Sequence, residues 1–353
     1  MTSSRVVRNR RLLVLLVALG LVVGTGAFAV SALWPVVTSI TESNDYTGSG
    51  TGRVSVVVRG GDTSRIIGAA LDKAGVVKTA RAFTDAAANN PRSGSIQPGI
   101  YALRIKMSAR SALAILINPV NRTVPHVTVR EGLWTSETIR ALAAGTGRPL
   151  AEYTVAMKNL PLLGLPAQAK GNAQGYLFPS TYAFEPDTTA GQQLETMVAK
   201  TLAELRKLGV PPDQAQRVLT IASLIEAEAR AGPDRPKVAQ VVQNRLAKAM
   251  PLQMDSTVHY IFRSRGKAGT TDAQRRSKNP YNTYLFKGLP PGPINSPGLS
   301  AMQAAVRPTP GPWIYFVTVN PTTGQTAFAV NPAAHAANVK VFQAWCSHHR
   351  GKC

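Results

Sequence analysis

Cysteine is almost missing. Two occur in 353 residues, Cys346 and Cys353, both at the C-terminal end. They cannot form a cysteine metal site, and they either close a short loop or stay unpaired. No glycine-rich phosphate loop leads into a helix, so neither a nucleotide cofactor nor a metal is expected. Acidic residues are scarce as well: eighteen against forty Lys and Arg, a net charge of +22. Such a surface favours polyanions, whether nucleic acid, anionic headgroups or anionic wall polymers. Charge alone does not choose among these.

Charge of either sign is absent from residues 12–41. Residues 12–34 are long enough to cross a hydrocarbon layer of about 30 Å as a helix. Trp34 sits at an interfacial position and Pro35 ends the run. Arg5, Arg8, Arg10 and Arg11 come before it. The pattern predicts a cytoplasmic basic tail over 1–11, a single transmembrane helix over 12–34 and an outward-facing body. A cleaved signal peptide with Ala27-Phe28-Ala29 as its site is the alternative, but its apolar core is usually only about 7–15 residues long. An outward-facing body sets nucleic acid aside as a partner. Residues 35–52, rich in Gly, Ser and Thr, read as a flexible linker.

The remaining length suits two domains of α+β class. Over residues 53–145, strand, glycine turn and capped helix occur twice, beginning near Val54 and Val127. No catalytic constellation is evident there, and Glu131-Gly132 reads as a turn. A spacer or glycan-binding module fits this region. Residues 146–345 form the larger unit, followed by a basic tail over 346–353. The aromatic stretch around Tyr176 and Tyr182 reads as core, with tyrosines that could also stack on sugars. His335 reads as structural.

The sharpest chemical signal is Leu219-Thr-Ile-Ala-Ser-Leu-Ile-Glu-Ala-Glu228. Val218, Ile221, Ala222 and Ile225 make one apolar stripe at helical period. Leu219, Ala222, Ser223 and Glu226 lie on the adjoining flank, so Glu226 stands beside apolar surface while Glu228 points elsewhere. A carboxyl in that setting keeps its proton to higher pH, as a general acid must. Gln253, Asp255, Ser256 and Thr257 crowd one short polar stretch that suggests a groove. The Pro- and Gly-rich residues 288–298 suggest a rigid loop wall.

These residues resemble the endolytic murein transglycosylase MltG (YceG-like) family. The resemblance spans roughly residues 54–341. It rests on Ile221 to Glu228, Asn244-Arg-Leu246, Leu252 to Val258, and Pro280-Tyr-Asn-Thr-Tyr284 running into Gly288-Leu-Pro-Pro-Gly-Pro293. Gln174 and Ser180 stand where the family usually has acidic residues, and Ala334-His335 where it tends to have Glu-His. The resemblance implies a membrane-anchored enzyme that cuts peptidoglycan glycan strands internally, with a LysM-like membrane-proximal module and wall-synthesis enzymes as partners. It puts the catalytic glutamate at Glu226. Gln253, Asp255, Tyr281, Asn282 and Tyr284 are the expected groove contacts. The alternatives are a lysozyme-like hydrolase pairing Glu226 with Asp255 or Glu228, and a non-catalytic wall tether.

Overall fold

A computed structural model of the chain describes residues 43–229, 232–265 and 269–349. The expected tail and membrane helix over 1–34 lie outside the described residues. Among the described residues, no helix is long and apolar enough to cross a membrane. The fold is α+β, in two compact units that divide between Thr123 and Val124.

The smaller unit is a three-stranded antiparallel sheet with helices α1 (Ser64–Lys73), α2 (Ala80–Ala88) and α3 (Ala109–Leu116). β1 (Ser49–Val58) pairs with β2 (Gly99–Met107), which pairs with β3 (Arg122–Thr123). Alternate valines of β1, Val56 and Val58, turn inward onto Ile67, Leu71, Phe83 and Leu113. Thr63, Thr79 and Ser108 each cap a helix through the side-chain oxygen.

The linker expected over 35–52 is corrected by this unit. Ser49 to Gly52 belong to β1, with Ser49 opposite Met107 and Thr51 opposite Ile105. The Asp45 carboxylate accepts the Ala109 backbone N–H at 2.9 Å, at the start of α3. Glycine density here reflects close packing: a Cβ on Gly50 would collide with the Ile105 carbonyl.

The larger unit begins earlier than expected. β4 (His126–Thr128) pairs with β5 (Thr181–Ala183), and Val127, Val129 and Leu142 join the larger core. Residues 124–145 therefore belong with this unit, and the two strand–turn–helix stretches fall in different units. The helices are α4 (Thr135–Thr146), α5 (Leu150–Ala156), α6 (Ala190–Lys207), α7 (Ala215–Glu228), α8 (Arg235–Ala247), α9 (Asp255–Phe262), α10 (Asp272–Arg275), α11 (Leu299–Val306) and α12 (Pro332–His348). β6 (Tyr315–Asn320) and β7 (Gln325–Ala329) form a hairpin against α12. Helix α12 runs through Cys346, which is disulfide-bonded, so part of the expected tail is helical.

Helix α7 is the axis of this unit, with α8, α9 and α11 packed on it. Every residue from Leu219 to Ile225 is buried, while Val218 is half-buried. One buried stripe was expected; burial on all sides is found, because neighbours cover the whole circumference. The hydroxyls that this encloses are paired: Thr220 Oγ1 donates to Gln216 O and Ser223 Oγ to Thr220 O. Ser223 Oγ also accepts the Ile294 N–H at 3.0 Å, and Asn295 Nδ2 donates to Ser223 O at 2.7 Å. The Pro- and Gly-rich loop is thereby stitched to the helix.

Tyr176 and Tyr182 are core residues, 0% and 6% exposed, with hydroxyls donating to Gln216 Oε1 and Phe178 O. The sugar-stacking role considered for them does not hold. Gly175 has φ +87°, and a Cβ there would run into the Pro293 ring. Gly175→Ala should destabilise the chain by about 1–3 kcal/mol, combining left-handed strain with overpacking. Chemical unfolding of the full chain measures this, and an unchanged midpoint would refute it.

Candidate active site

Glu226 lies in the last turn of α7, which ends at Glu228 as Ala229 turns extended. No basic residue occupies that turn, so the negative end of the helix dipole also disfavours a carboxylate there. Its side chain is 8% exposed. Arg235 Nη2, from the first residue of α8, donates to Oε1 at 2.9 Å. The Gly298 N–H, at the N-cap of α11, donates to Oε2 at 3.1 Å. Gly132 covers the other side: a Cβ on it would sit 3.8 Å from Glu226 Cγ.

Burial pushes the Glu226 carboxyl above its ordinary range, the Gly298 N–H and Arg235 pull it down, and the Glu131 charge pushes it up again. Glu131 is the partner that sequence reasoning missed. Its Oε2 lies 3.8 Å from Arg235 Nη2, so two carboxylates share one guanidinium. The Glu131 carboxylate also lies on Gly298, where any Cβ would collide with it. The signal in the sequence was Glu131-Gly132, read only as a turn in a region assigned no chemistry.

The expected groove residues do not form one set. Asp255 Oδ1 accepts from the Tyr284 hydroxyl and Thr270 Oγ1, each at 2.6 Å, with Arg275 Nη2 at 3.5 Å. Beside them, Ser256 Oγ donates to Glu228 Oε1 at 2.6 Å. Burial raises the Glu228 carboxyl, and the Asp255 charge adds to that. Tyr284 is raised by burial and by its bond to Asp255. Glu226 shares no hydrogen-bond partner with this cluster.

Gln253 is exposed, holds φ +52° and accepts from Arg245 Nη1 at 3.4 Å. Asn282 is fully buried, and its Nδ2 donates to Arg275 O and Ser277 O at 2.7 Å. That amide is committed to the loop that carries the tyrosines, so the side chain is not offered to solvent. Tyr281 leaves the Asp255 cluster and packs beside Tyr260 with its ring tilted, ring centres 4.9 Å apart. Burial pushes its hydroxyl up to about 12. His335 stacks on Tyr315 and shares no hydrogen-bond partner with Glu226. Among the described residues, no group of three or more His, Cys, Asp or Glu is placed to hold a metal ion.

The arrangement can hold a proton at Glu226 and can stabilise the carboxylate left after its transfer. Removing the Glu131 charge should let Glu226 titrate at lower pH, and removing Arg235 should move it higher. Carbon-13 carboxyl titration of Glu226 in Glu131→Gln and Arg235→Met reads both displacements; equal curves would contradict the shared-guanidinium geometry. Glu228 offers a stability test. A carboxyl whose folded pKa is raised contributes stability that is complete at low pH and is lost as pH rises through that pKa. Glu228→Gln should therefore raise Tm at pH 8 and leave it nearly unchanged at pH 4. A lower Tm at pH 8 would show that the ionised form is needed.

A protein of Bacillus subtilis named endolytic murein transglycosylase is 30% identical over 304 residues, covering 80% of this chain and 82% of that protein. One of the same name from Streptococcus pneumoniae is 28% identical over 328 residues, and this chain spans 58% of its length. A 2.6 Å crystal structure of a yceG-like protein from Listeria monocytogenes superimposes with a TM-score of 0.53 at 27% identity, covering 81% of this chain and 98% of that one. The model of the YceG-like family matches residues 56–341, a span that includes Glu131, Glu226, Arg235 and Gly298. The chain belongs to the YceG-like family.

Proposed function

We propose that this chain is an endolytic peptidoglycan lytic transglycosylase with Glu226 as its acid and base. The observation that carries the reading is the sheltered Glu226 carboxyl, raised by burial yet held by two donors. The name of the Bacillus subtilis relative supports the substrate.

Glu226 begins protonated and gives its proton to the glycosidic oxygen between N-acetylmuramic acid and N-acetylglucosamine. The bond from that oxygen to the muramic anomeric carbon breaks. The 6-hydroxyl of the same muramic sugar attacks that carbon, and its proton passes to the Glu226 carboxylate. A 1,6-anhydro end forms, no water is consumed, and the acid is regenerated. Arg235 and the Gly298 N–H stabilise the carboxylate stage, when the negative charge is complete. Substrate covering the site removes water and raises the Glu226 pKa further, which favours the protonated start.

One observation keeps a water-using variant in view. Glu131 is 49% exposed and shares Arg235 with Glu226, whereas Asp255 and Glu228 are occupied in their own cluster. A hydrolase on this scaffold would draw its second carboxylate from Glu131. The products separate the two readings, since hydrolysis leaves reducing ends.

Residues 12–34 act in this reading as a single-pass anchor that keeps the body outside the cytoplasmic membrane. The uncharged run behind four arginines supports it. The smaller unit serves as a LysM-like, membrane-proximal module, in keeping with its sheet-and-helix build. Wall-synthesis enzymes are the expected partners.

Glu226→Gln should lower release of anhydro ends by about 10²–10⁴-fold while leaving the unfolding midpoint close to that of the parent. Mass spectrometry of digested glycan strands measures it. Undiminished anhydro product removes Glu226 from its role, and reducing ends from the parent protein favour the Glu131 pair.

A further inference from the structure

A patch beside Glu226 has no part in the proton transfers described above. Trp134, just before α4, meets Tyr260 of α9 edge to face, ring centres 6.4 Å apart. Tyr260 continues to Tyr281 at 4.9 Å. Arg263 ends α9 at φ +51°, a left-handed conformation that side-chain-bearing residues seldom adopt. Its guanidinium lies 4.6 Å from the Tyr260 ring centre and 5.2 Å from that of Trp134. The Arg265 guanidinium lies 4.4 Å from Trp134 and donates to Glu137 Oε2 at 2.7 Å and to Gly132 O at 2.9 Å.

Two features point to a ligand. Among the described residues, the Arg263 guanidinium makes no hydrogen bond and no ion pair with a carboxylate, yet the side chain is exposed and aligned on two rings. Gly132, which accepts from Arg265, is also the residue that packs on Glu226 Cγ. The patch thus starts one residue from the acid.

We propose that this aromatic and guanidinium patch is a subsite for the carboxylate-bearing peptide attached to the muramic sugar. The proposal rests on the glycan-cleavage reading and names which form of the glycan is preferred. The sugar whose bond breaks is the one that carries the peptide, so the peptide leaves the chain within reach of groups next to Glu226. The rings offer flat apolar faces to sugar and peptide, and the forked guanidinium of Arg263 matches a carboxylate in two parallel bonds.

The experiment measures binding with the full chain carrying Glu226→Gln, so that strands are not consumed. The probes are uncrosslinked glycan strands bearing their peptides, and the same strands after an amidase has removed them. Peptide-bearing strands should bind about tenfold more tightly. Adding Arg263→Asn, which tolerates the left-handed backbone, should erase that preference, Arg263→Lys should keep part of it, and Trp134→Ala should weaken both probes. Equal binding of the two probes by the Glu226→Gln chain overturns the proposal. So does a preference that survives Arg263→Asn, or equal competition by a peptide-free polyphosphate, which would mark the patch as a general anion surface. Failure of the catalytic reading shows separately, as wild-type protein that binds strands but releases no anhydro ends.

Discussion

The grip of Arg235 on Glu226 is the contact on which the site depends. A carboxyl at the end of a buried helix, next to no other cation in its own turn, would be driven far toward the neutral form by burial and the helix dipole. It could then give up its proton only at great cost. One guanidinium at 2.9 Å and one backbone N–H at 3.1 Å offset part of that penalty. Glu131 divides the attention of Arg235 and restores some of the upward push. The carboxyl is held between the two extremes, a setting that suits a group able both to release and to recover a proton.

That balance needs four chain segments in fixed register. Helix α7 supplies Glu226, α8 supplies Arg235, the cap of α11 supplies Gly298, and the turn after β4 supplies Glu131 and Gly132. The fastening is visible in backbone bonds: Gly132 N–H donates to Ser296 O at 2.8 Å and Ser296 N–H to Leu133 O at 2.9 Å. Ser223 ties the same loop to α7. Gln174 accepts the Thr135 N–H at 3.1 Å and so helps hold the start of α4.

Much of this was legible in the chain. The period of the apolar residues gave α6, α7 and α8, and the sheltered setting of the Glu226 carboxyl was expected from its place beside apolar neighbours. What escaped has a common cause. Glu131, Arg235, Trp134, Arg263 and Arg265 are brought together by the packing of α4, α8 and α9, and none of them stands in a local pattern that marks a site. The linker was misread because glycine density looks the same whether it serves looseness or close approach; only the opposing Ile105 carbonyl tells them apart. Asn282 shows the reverse error, a residue picked for its polarity whose polarity is consumed inside its own loop.

The Asp45 carboxylate that caps α3 has a mechanical consequence. Together with the pairing of Ser49 and Thr51 on β2, it fastens the chain to the small unit from Asp45 onward. A pull on the chain ahead of Asp45 would therefore load the start of α3 and the β1–β2 ladder directly, instead of first taking up slack in a run of glycines.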